Sequence, residues 1–90
     1  MFYAPWCTHC TQFKPIYSLA AQRLINDNIG IAAVIDVTEH PITAASFEVK
    51  GYPTLKYFEN GKYVKDYAGK RTAEAVYNFV KSGGKERDEL

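Results

Sequence analysis

Between Ile29 and Asp36 the chain reads IGIAAVID, with no polar side chain before its last position. An unbroken apolar run of strand length, rather than an alternating one, predicts a strand covered on both faces, as in a parallel sheet. Phe2, Tyr3 and Ala4, cut off by Pro5, read as the end of a second buried strand that starts outside this sequence. From Cys7 onward Phe13, Ile16, Tyr17, Ala20, Leu24 and Ile25 recur at helical spacing. A helix is expected from Trp6 or Cys7 to about Asn26, kinked but not ended by Pro15. Pro41 suits the first turn of a short helix turning Ile42, Ala45 and Val49 inward, with Gly51 as its C-terminal cap. In TLKYFENGKYVKDY, two strand-like runs flank Asn60-Gly61, the dipeptide that supplies the positive φ angles of a type I′ hairpin turn. Thr72 can cap a last helix with Ala73, Val76, Tyr77 and Val80 on one face. This order of strand, helix, strand, helix, hairpin, helix predicts an α/β domain with a central mixed sheet flanked by helices. No internal repeat is present, and Gly83-Gly84 is expected to open a flexible polar tail, KERDEL, over 83–90.

Ninety residues at 47% hydrophobic and 14% aromatic content support one core and one domain. Eleven basic against 10 acidic residues leave a net charge of +1, too little to gather nucleic acid or anionic lipid at long range. No run approaches the roughly 18 apolar residues of a membrane span, and no basic-then-apolar leader precedes the first strand. The expected partners therefore include neither nucleic acid nor membrane. Residues 50–71 interleave six basic side chains with Tyr52, Tyr57, Phe58, Tyr63 and Tyr67. Strand alternation, with bases on the wet face and rings on the core, accounts for that pattern without a nucleic-acid ligand.

Both cysteines lie in Cys7-Thr8-His9-Cys10. A bond between them closes so small a loop that it removes little unfolded-state entropy, which argues against a structural staple. Zinc is the competing use of Cys-x-x-Cys, but His9 and His40 are the only candidate nitrogen ligands and no second ligand pair has suitable spacing. His40, beside Pro41, reads as a solvated cap residue. Redox chemistry fits better. At a helix N-terminus the Cys7 sulfur meets unpaired backbone N–H groups and the positive end of the helix dipole, both favouring thiolate. Cys7 is the expected nucleophile, His9 when protonated adds positive charge beside it, and Cys10, one turn deeper, is the expected resolving thiol. No cofactor is called for beyond a reversible Cys7–Cys10 disulfide.

FYAPWCTHC, then Phe13-Lys14-Pro15, Val37-Thr38-Glu39, FEVKGYPT, the Asn-Gly hairpin and YAGKRT together resemble an a-type thioredoxin domain of the protein disulfide isomerase family, from Met1 to about Ser82. The resemblance implies a thioredoxin-like fold. It makes Tyr52-Pro53-Thr54 the family's cis-proline loop, which lies beside the redox pair and binds an extended substrate by strand addition. Trp6 corresponds to the exposed aromatic next to the nucleophile, and Arg71 to an arginine that adjusts the acidity of the inner cysteine. Thr8-His9 is closer to the isomerases' Gly-His than to thioredoxin's Gly-Pro. The implied activity is that of a thiol-disulfide oxidoreductase and isomerase. It would form and rearrange disulfides in unfolded or misfolded cysteine-containing secretory polypeptides and be recharged by an oxidase or glutathione. The alternative is a chaperone-like polypeptide-binding module with little redox turnover.

Two departures from the family stand out. Its buried glutamate before F-Y-A-P-W-C is here Met1, and its lysine partner falls near Val34, so both members of that ion pair are absent together. By the family layout, the first strand, first helix and most of the central strand are also lacking, which makes residues 1–82 a domain incomplete at its N-terminus, with exposed apolar surface expected. Arg87-Asp88-Glu89-Leu90 is close to the receptor-read KDEL and HDEL signals, implying the lumen of the endoplasmic reticulum.

Overall fold

The computed structural model describes residues 1–85. The order is β1 (Phe2–Tyr3), α1 (Thr8–Asn26), β2 (Ile35–Asp36), α2 (Pro41–Ser46), β3 (Leu55–Glu59), β4 (Lys62–Tyr67) and α3 (Ala73–Lys81). β1 pairs in parallel with β2, and β3 in antiparallel with β4. A single antiparallel bridge between Phe2 and Thr54 joins the two pairs. The result is one mixed layer in the order β2-β1-β3-β4, the α/β architecture expected.

The hairpin and the long helices form for local reasons. Asn60 and Gly61 take φ angles of 53° and 79°, which match the twist of the strands they connect. α1 runs through Pro15 to Asn26 and buries Cys10, Phe13, Ala20 and Leu24. Ile25, counted with that face from spacing, is instead exposed. Thr72 Oγ1 accepts the Ala75 N–H at 3.1 Å and starts α3, which buries Val76, Tyr77 and Phe79. Phe13 and Ala20 of α1 meet Val76 of α3 and Met1 of the sheet. At the far end of α1 the Tyr77 hydroxyl donates to Asp27, and the Arg23 guanidinium lies 3.8 Å from the Tyr77 ring centre. On the other side of the sheet Phe2, Val37 and Ala44 pack with Ala4, Cys7 and Cys10.

Three expectations are corrected. The strand over 29–36 shrinks to Ile35–Asp36, with Ile31 88% and Val34 51% exposed. A strand exists only opposite a partner backbone, and the ladder offered by β1 ends at Met1. In α2 it is Ala44 that is buried, while Ile42 and Ala45 face solvent. The helix turns only once and a half, so one small contact with the Phe2 cluster is all its inner face can make. Gly51 is not its cap. The left-handed position is filled by Glu48 at φ 53°, with the Glu48 N–H on Ala45 C=O and the Val49 N–H on Ala44 C=O.

Gly83 and Gly84 close α3 in the same way: their N–H groups donate to Val80 and Phe79 carbonyls, at φ 74° and 81°. Gly84 is buried, so the ordered domain reaches past Ser82. A Cβ on Gly84 would fall 2.9 Å from two Tyr57 ring carbons. Gly84→Ala therefore combines a ring displacement with left-handed strain and should cost about 1–3 kcal/mol, read as a lower urea midpoint with unchanged m-value. A midpoint equal to the parent's would show that Tyr57 yields freely.

Candidate redox site

The chain enters α1 through a turn in which Cys7 N–H donates to Ala4 C=O at 3.1 Å. Cys7 is the N-cap, with extended backbone angles, and its sulfur takes the capping role: Cys10 N–H donates to Sγ at 3.2 Å. A helix N-terminus leaves several N–H groups without intrahelical partners, and a sulfur placed there is solvated by them when ionised. Both cysteines are free thiols. Cys7 is 8% and Cys10 1% exposed, the outer-and-inner arrangement expected from one turn of helix.

Their acidities diverge. Burial works against the Cys7 thiolate, but the Cys10 thiol, the Cys10 and His9 N–H groups and the Arg71 charge together outweigh it and hold its pKa below the ordinary thiol value. Burial pushes the Cys10 thiol up, and its hydrogen bond to Cys7 and the Cys7 charge add to that; Ala4's backbone and Arg71 only partly offset them. The influence of His9 comes through its backbone N–H; its side chain is exposed. His40 caps α2 without a side-chain hydrogen bond.

The Tyr52-Pro53-Thr54 loop packs beside the thiols, with Tyr52 against the cluster that contains Cys7 and Cys10. The Tyr52-Pro53 peptide is cis and Pro53 is buried. Thr54 spends its backbone N–H and C=O on Phe2 and its hydroxyl on Gly51 C=O. Among the described residues, the Tyr52 N–H and C=O have no hydrogen-bond partner. An extended chain laid along this loop would therefore find its main-chain partner at Tyr52 rather than Thr54. Trp6, 70% exposed, stands edge-on to the Tyr52 ring at 5.6 Å and 83°, forming a wall at the mouth of the site.

Residues 87–90 lie outside the described residues. Met1 is buried with Phe13, Ala20 and Val76, and Val34 is half exposed, so no paired charge takes those two places. Ala4 and Val37 were not singled out from sequence, though both line the thiol pocket and Ala4 anchors the cap turn. Only the small residue ahead of Pro5 hinted at the close approach. Among the described residues no group of three or more His, Cys, Asp or Glu side chains could hold a metal ion. Among the described residues, no helix is long and apolar enough to cross a membrane.

A mixed α/β layer with a dithiol capping its long helix and a cis-proline loop against it defines a thioredoxin-like protein. Residues 1–82 match the Thioredoxin family, and the chain belongs to it. It is 44% identical over 84 residues to protein disulfide-isomerase 1 of Caenorhabditis elegans, covering 92% of this chain and 17% of that protein. Mouse protein disulfide-isomerase A4 is 47% identical over 81 residues, covering 89% of this chain and 12% of the relative. The chain thus spans less than a fifth of the length of either. The solution structure of the first thioredoxin domain of mouse protein disulfide-isomerase A4 superposes with a TM-score of 0.79 at 40% identity, covering 99% of this chain and 64% of that one.

Proposed function

We propose that this chain is a thiol-disulfide oxidoreductase and isomerase domain acting on cysteines of folding secretory polypeptides. The observation that carries the reading is the split in acidity within one helical turn: a thiolate-favouring Cys7 at the helix cap and a buried, proton-holding Cys10 behind it. In the reducing direction Cys7 S⁻ attacks a substrate disulfide. A Cys7–substrate S–S bond forms, and the second substrate sulfur leaves as thiolate. Cys10 then loses its proton and attacks Cys7 Sγ, forming the Cys7–Cys10 disulfide and releasing the first substrate sulfur reduced. Two electrons have passed from the chain to the substrate. The reverse sequence oxidises a substrate dithiol, and release before Cys10 attacks allows isomerisation.

Trp6 and Tyr52 would receive the polypeptide around the reacting cysteine, with the free Tyr52 backbone groups adding it as a strand. Arg71 would hold both thiols to a lower pKa. An oxidase or glutathione would restore the disulfide, and Arg87 to Leu90 would retain the protein in the endoplasmic reticulum lumen.

Trapping tests the reading. Cys10→Ser should accumulate mixed disulfides with a disulfide-bearing client through Cys7, visible as a reducible mass shift, and Cys7→Ser should form none. If clients bind equally well when both cysteines are replaced and no adduct appears, the chain is a polypeptide-binding module without redox turnover.

A further inference from the structure

β3 begins at Leu55, directly after the Tyr52-Pro53-Thr54 loop, and β4 ends opposite it at Tyr67. Thr54 bridges antiparallel to Phe2, so the start of β3 lies toward the end of β1 that leads to the dithiol. The chain therefore leaves β4 at the redox end of the sheet, crosses residues 68–71 and enters α3 through its N-cap, Thr72. Arg71, the last residue of that crossing, is exposed, and among the described residues its side chain makes no hydrogen bond or ion pair. No partner holds the guanidinium, so the place of its charge depends on the backbone that carries it.

That backbone has few ties of its own. Among the described residues no backbone–backbone hydrogen bond involves Ala68, Gly69, Lys70 or Arg71. The Thr72 cap fixes the far end of the loop, and Tyr67 reaches into its middle. The Tyr67 hydroxyl donates to Lys70 C=O, one residue before Arg71. Gly69 passes close over the same ring: a Cβ there would fall 2.7 Å from the hydroxyl oxygen and 2.8 Å from Cε1 and Cζ, so any side chain at 69 would drive loop and phenol apart. The ring itself is anchored. It stands edge-on to Phe79 at 4.9 Å and 69° and packs against the cluster of Met1, Phe13, Ala20 and Val76.

The geometry points to Tyr67 as a positioning residue for the dithiol: its hydroxyl on Lys70 C=O, with its ring beneath Gly69, holds residues 68–71 so that the Arg71 charge stays within reach of Cys7 and Cys10. This rests on the redox reading and adds to it the group that keeps Arg71 in place. Arg71 favours the thiolate of both cysteines. Coulomb attraction falls with distance and is screened in water, so a loop released from the ring carries the guanidinium into solvent and away from the sulfurs. Nothing nearby replaces it. His9 acts on Cys7 through its backbone N–H, and the side chains packed around the thiols, Phe2, Ala4, Val37, Ala44 and Tyr52 among them, carry no charge.

The test follows iodoacetamide labelling of Cys7 and Cys10 across pH in the reduced chain, read by mass spectrometry. Tyr67→Phe keeps the ring against Phe79 and removes the hydroxyl. Both profiles should move to higher pH by at least about half the displacement that Arg71→Gln produces, and with a weaker dependence on salt. Gly69→Ala, which pushes the hydroxyl away with the tyrosine intact, should displace them in the same direction. The double variant Tyr67→Phe/Arg71→Gln should match Arg71→Gln alone, because the loop then has no charge to place. Tyr67→Phe profiles that stay with the parent's would overturn the proposal. So would a Tyr67→Phe shift as large in the Arg71→Gln background as in the parent, which would show that the phenol acts on the thiols through packing. Parent profiles that coincide in the free-cysteine range would sink the redox reading itself, and the proposal with it.

Discussion

Titrated with iodoacetamide across pH, the reduced chain should lose Cys7 at a pH below the ordinary thiol range near about 8.5 and retain Cys10 until above it. The thiolate is the reacting species, so each rate profile follows the ionisation of its own sulfur. Burial opposes the Cys7 thiolate, yet the Cys10 thiol and the two N–H groups at the helix start solvate it, and Arg71 adds positive charge. Cys10 has burial and the neighbouring thiolate against it. The same displacements set the sign of stability. The folded Cys7 pKa is depressed, so its contribution is full above the unfolded thiol pKa and is lost as pH falls through the folded value. The folded Cys10 pKa is raised, so its contribution is full below the unfolded value and is lost as pH rises through the folded one. Between the two folded values Cys7 is ionised and Cys10 holds its proton, which is the state that attack by Cys7 requires; resolution needs Cys10 to give that proton up. Arg71 acts on both sulfurs from an exposed position. Arg71→Gln should therefore move both profiles to higher pH, and added salt should imitate part of that shift. Coincident profiles near the free-cysteine range would refute the assignment of roles.

Features written in adjacent residues were legible, and those needing a distant partner were not. Asn60-Gly61 fixes its turn from its own φ preferences, and Cys7 and Cys10, three apart at a helix start, must stack one turn deep whatever surrounds them. IGIAAVID reports only that its side chains want cover. Whether its backbone becomes a strand depends on β1, which reaches no further than Ile35 and Asp36. The Gly51 cue failed for a related reason. Glu48 is the residue standing where α2 runs out, and two backbone hydrogen bonds hold it in the left-handed region that glycine would occupy more easily. Within the site, the thiols were readable from spacing. The meeting of Trp6 with Tyr52 joins residues far apart in the chain, and only a family resemblance suggested that they share a surface.

Phe13→Ala should be among the most damaging changes the core can take. Phe13 is 2% exposed and lies one turn beyond Cys10, where α1, α3 and the sheet meet, touching Met1, Ala20 and Val76 and tilted 46° against Tyr17. Truncation removes the ring's transfer free energy and leaves a cavity that two helices tied by the Tyr77–Asp27 hydrogen bond cannot close. The loss should be about 3–5 kcal/mol. A chain of this length has about 5–13 kcal/mol in all, so the change takes away a large share of it. At roughly 4–8 °C per kcal/mol the melting midpoint should fall by at least about 12 °C. Cys10 sits on the same helix, and loosening α1 should also expose it. Its alkylation at neutral pH should then rise together with the thermal loss, while that of Cys7, whose backbone N–H donors lie in the first helical turn, changes less. A midpoint within a few degrees of the parent's would mean that the two helices collapse onto the space Phe13 leaves.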